Sequence, residues 1–116
     1  MEKIENILQR VEGSKAFNSL LKEHRKKSVT VHLENLVGGA LSLYSAALVR
    51  RVGGVHIFVA EDRDSAAYML NDFYALLDEE RVHFFPTSYK KSIIYGKEDA
   101  QGVVQRTNAL NALRHN

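Results

Sequence analysis

The sequence predicts an α/β fold, a three-layer arrangement with helices packed on a parallel sheet, and three observations carry that reading. Strand-like and helix-like stretches alternate along the chain in the order strand, helix, strand, helix, strand, helix, the pattern of parallel strands joined by right-handed crossovers. A glycine turn, Val37-Gly38-Gly39-Ala40, joins the first of these strands to its helix. Residues 55–60 (VHIFVA) form a continuous apolar run with β-branched members, as expected of a strand covered on both faces.

Taken in order, Ile4, Ile7, Leu8 and Val11 recur at helical spacing, so residues 2–11 read as a short amphipathic helix. Gly13 and Ser14 interrupt it, and Ser14 suits the N-cap of a second helix that turns Phe17, Leu20 and Leu21 inward. That helix ends in the basic cluster 22–27 (KEHRKK), which complements the negative end of its dipole and reads as a solvated helix end. Val29, Val31 and Leu33 then alternate with Thr30, His32 and Glu34, giving a first strand near 28–34.

After the glycine turn, the run 41–52 (LSLYSAALVRRV) reads as helix, stopped by Gly53 and Gly54. The strand at 55–60 follows. Asp62 and Asp64 can each cap the next helix, whose buried stripe is Ala66, Ala67, Leu70, Phe73, Tyr74 and Leu77. Residues 81–85 (RVHFF) form a third strand, closed by Pro86. A polar stretch, TSYKKSIIYGKED, has no clear period, and the chain ends in a helix over 98–114 with Val103, Val104, Leu110 and Leu113 as its apolar face. Residues 1–27 thus read as N-terminal helices and 28–116 as a partial α/β domain. The last helix has no strand to return to, so the chain is expected to be a fragment of a larger protein.

Composition narrows the class. The 116 residues include 45% hydrophobic and 26% charged side chains, the balance of a globular domain with one core. There is no Cys, which excludes disulfides and thiolate zinc sites. No apolar run resembles a signal peptide or reaches membrane-spanning length, so the cytoplasm is the expected location and no membrane partner is expected. A net charge of +2 does not by itself mark a nucleic-acid binder.

The glycine turn is the most informative site. Where such a turn links a first parallel strand to a helix, backbone N–H groups can cradle phosphates, a Lys grips the outer phosphates and a Ser or Thr holds magnesium. Laid over Asn35, Leu36, Val37, Gly38, Gly39, Ala40, Leu41 and Ser42, the pattern G-x-x-x-x-G-K-[ST] retains only Ser42. Asn35 and Ala40 replace its glycines and Leu41 its lysine. Leucine supplies no charge for a triphosphate, and Ala40 adds a Cβ where the backbone must come close. The turn therefore reads as a degenerate phosphate loop, a βα turn with glycines for close packing, without cofactor or catalytic residue.

Other candidates resolve the same way. Glu61 and Asp62 after an apolar strand could mimic a magnesium-binding acid, but capping is the better account of Asp62. His32, His56 and His83 fall one on each strand without the carboxylate company of a metal site. Tyr89, Lys90, Lys91, Tyr95 and Lys97 could stack on bases and neutralise phosphates. The better account is that Tyr89 and Tyr95 cover the sheet end while the lysines keep the loop soluble.

With the glycine turn and the stretch after Pro86 in view, the chain resembles the N-terminal region of bacterial transcription-repair coupling factors, itself similar to the first domain of the excision-repair protein UvrB. The parts that carry the resemblance are 29–42, 55–61, 65–77, 82–95 and the closing EDAQGVVQRTNALNALR. UvrB keeps an intact phosphate loop and inserts a damage-probing hairpin; Asn35, Ala40 and Leu41 break the first here, and 89–98 leaves too little chain for the second. Both departures favour coupling factor.

The resemblance implies a P-loop-NTPase-like sheet of the UvrB domain 1a type and a role in a DNA translocase that displaces stalled RNA polymerase and recruits UvrA. ATP and magnesium would belong to the parent's downstream motor, and RNA polymerase and DNA would be bound by other parts of the parent. This region would be a scaffold for the UvrA-binding and autoinhibitory surface. The alternative is a nucleotide-binding or nucleic-acid-binding domain of a UvrB-like or helicase-like enzyme. For nucleotide work a cation must replace the lysine, and Arg50 and Arg51 lie roughly 13–15 Å along the helix from the turn.

Overall fold

The computed structural model describes residues 2–87 and 100–115. Their regular elements are α1 (Glu2–Glu12), α2 (Lys15–His24), α3 (Ala40–Val52), α4 (Arg63–Leu76), a 3-10 turn at Glu79–Arg81, and α5 (Ala100–Arg114). No described residue belongs to a β-strand. The expected three-layer α/β parallel sheet is therefore overturned, and with it the P-loop-NTPase-like, UvrB-like layering: the described residues form an all-helical structure.

The stretches expected as strands, 28–34, 55–60 and 81–85, run outside the helices without a ladder, apart from Arg81, which ends the 3-10 turn. Alternating β-branched residues record a local preference. A strand also needs a neighbour to exchange main-chain hydrogen bonds with and a layer to bury its apolar face. Neither condition holds among the described residues. Ile57 and Val59 are 78% and 92% exposed, and Val29, Val31, Leu33 and Val55 are also open to solvent. Ser28 and Asn35 have φ of 51° and 65°, so left-handed residues bracket the first stretch.

Contacts divide the chain into two compact units, Met1–Gly54 and Val55–Asn116. In the first, α1 packs on α2 and α3. The turn between α1 and α2 is closed by Ser14, whose Oγ donates to the Val11 carbonyl at 2.7 Å and accepts from the Phe17 N–H at 3.1 Å. This is the expected N-cap, a feature worth about 1 kcal/mol in a helix. Asn18 Nδ2 reinforces the turn by donating to the Ser14 carbonyl at 2.8 Å.

Leu8 and Phe17 are fully buried at the centre of this unit, with Leu21, Ala46 and Ala47 beside them. Burying each of the two large side chains contributes about 1.5–3 kcal/mol. α3 does not present a stripe of large residues to this core. It buries Ser42, Ser45, Ala46 and Ala47, and such small side chains allow a neighbouring backbone to approach closely. Phe17 and Tyr44 link α2 to α3, their ring centroids 6.3 Å apart. At the edge, Arg50 Nη2 donates to Glu5 Oε1 at 2.7 Å.

The second unit begins its helix with Asp62, whose Oδ1 accepts from the Ser65 N–H at 2.7 Å. Of the stripe expected on α4, Phe73 is buried, Ala66, Leu70 and Leu77 are half-buried, and Ala67 and Tyr74 are exposed. The Leu77 N–H donates to the Phe73 carbonyl at 2.8 Å to close the helix. Asp78 then organises the 3-10 turn, its carboxylate accepting from the Glu80 N–H at 3.3 Å.

The last helix departs from expectation in its buried face. Val103, Val104, Leu110 and Leu113 are exposed, whereas Gly102 is buried and Gln105, Arg106, Ala109 and Ala112 are half-buried. Arg106 Nη1 donates to the Pro86 carbonyl at 3.2 Å. The start of the expected helix, 98–99, lies outside the described residues.

Candidate functional site

The glycine turn is built from two left-handed residues and a tight closure. Asn35 has φ 65° and Gly38 φ 62°. The Ala40 N–H donates to the Val37 carbonyl at 3.3 Å, and the Leu43 N–H to the Gly39 carbonyl at 3.0 Å, which starts α3. Gly39 caps the helix with φ −74° and ψ −2°, and no side chain supplies a capping hydrogen bond. Asn35 is an intelligible choice, since Asn enters the left-handed region more readily than most residues.

The expected reason for the glycines was close packing, and the geometry corrects it. A Cβ built at Gly38 or at Gly39 meets nothing within 4 Å. Gly38 answers to its positive φ alone, and Gly39 to neither packing nor φ.

The surroundings of the turn do not assemble a phosphate site. Leu41, at the lysine position of the motif, is exposed in the first turn of α3. Ser42 is buried on the face that α3 turns inward with Ser45 and Ala46, so its side chain points to the core and not to the open side of the turn. Arg50 is held by Glu5 through the 2.7 Å ion pair. Asn35 lines an open hollow of about 230 Å³ together with Glu34, Leu33, Leu36, Leu20 and Tyr44. Its acidic and apolar walls oppose an anion.

A second hollow, about 350 Å³, is lined by Leu20, His24, Lys26, Ser28, Val29 and Val31. It collects part of the basic cluster, yet Lys26 Nζ pairs with Glu23 Oε2 at 3.0 Å. The hollow also lies at the negative end of the α2 dipole, which weakens any hold on an anion.

Among the remaining candidates, Asp62 is an N-cap: hydrogen bonds from the Ser65 backbone and side chain hold its carboxyl below the usual carboxylate range. His32 Nε2 lies 3.5 Å from Glu34 Oε1, both exposed. Among the described residues, no group of three or more His, Asp or Glu side chains is arranged to hold a metal ion. Tyr89, Lys90, Lys91, Tyr95 and Lys97 lie outside the described residues. No described helix is long and apolar enough to cross a membrane.

The two hollows were not legible in the sequence. Both depend on where the non-helical residues 28–36 return against α2, which no local pattern records. Comparison with protein-family models, with curated proteins and with solved structures finds no match to this chain.

Proposed function

We propose that this chain is a non-catalytic contact module of the kind found at the N-terminus of bacterial transcription-repair coupling factors. In this reading it acts in the cytoplasm as part of a DNA translocase that displaces stalled RNA polymerase and recruits UvrA for excision repair. ATP and magnesium serve the parent's motor, and DNA and RNA polymerase are engaged by other parts of the parent.

The observation that carries the reading is in the sequence: coupling-factor-like segments follow one another in order, with Leu41 where a phosphate loop has its lysine. The inward-facing Ser42 and the paired Arg50 support it, because both groups are committed elsewhere.

Calorimetric titration of Mg-ATP and Mg-ADP into the chain tests the first half; neither heat nor thermal stabilisation is expected at millimolar nucleotide. UvrA capture by the chain extended downstream tests the second. Micromolar nucleotide binding that is lost in Gly38→Ala would overturn the proposal in favour of a nucleotide-responsive domain. Binding to DNA that falls steeply with salt and weakens in Lys90→Ala/Lys91→Ala would instead favour a nucleic-acid module.

A further inference from the structure

We draw no further inference here: the strongest candidate, the row of exposed apolar side chains Val55, Ile57 and Val59 on the non-helical segment ahead of α4, is an uncovered apolar face, and nothing in the structure shows what covers it.

Discussion

The rings of Phe58 and Phe73 lie with centroids 5.0 Å apart and planes inclined by 54°. Phe73 is buried on α4, while Ile57 and Val59, on either side of Phe58, point away into solvent. The pair therefore seats the segment 55–60 on α4 through its single phenylalanine. Tilted ring pairs at this separation are favoured by the ring quadrupoles beyond the area they bury.

A double-mutant cycle over Phe58→Ala and Phe73→Ala measures that contact. The expected coupling is about 0.5–1.5 kcal/mol, read from urea unfolding. Phe73→Ala alone should cost about 3–5 kcal/mol, as for a buried aromatic. Strictly additive single-variant losses would mean that the two rings do not meet in solution.

Val59→Lys distinguishes a free segment from a sheet interior. At 92% exposure the lysine stays in water, so stability should change by less than about 0.5 kcal/mol. Solubility should rise, because the charge interrupts an exposed β-prone apolar run. A loss of several kcal/mol in chemical denaturation would show that a layer covers Val59.

Alanine at the two adjacent glycines should behave differently. Gly38→Ala forces a Cβ into φ 62° and should cost about 1–2 kcal/mol. Gly39→Ala meets open space at φ −74° and should stay within about 0.5 kcal/mol of the parent. Thermal melts of the two variants side by side check this, and equal losses would refute the assigned turn geometry.

The Asp62 cap predicts a pH dependence with a definite sign. The folded carboxyl titrates below the ordinary carboxylate range because the Ser65 hydrogen bonds favour the charged form. Its contribution is therefore complete above the ordinary carboxylate range and is lost as pH falls through the lowered folded value. An NMR titration should show the Ser65 amide moving with that transition. Asp62→Ala should lower the thermal midpoint by a few degrees and abolish the amide transition.

Local features were legible in the sequence wherever one turn of chain decides them. Ser14 and Asp62 are N-caps, Gly53 ends α3, and Leu8, Phe17, Leu21 and Phe73 are core residues. Each follows from a side chain meeting its own helix, or from apolar residues repeating at helical spacing.

Elsewhere the tertiary structure decided. The alternation in 28–34 and the apolar run in 55–60 specify residues able to line a strand, but a ladder takes its hydrogen bonds from a second segment, and none pairs with them among the described residues. In α5 the sequence predicts Val103, Val104, Leu110 and Leu113 as the buried face, yet all four are exposed, while Gly102 is buried and Arg106 bonds to the Pro86 carbonyl. The sequence by itself determined which residues can begin, end or fill a helix, because those choices are settled within a few residues. Which apolar surfaces are covered depends on partners distant along the chain, and only the folded arrangement supplies or withholds them.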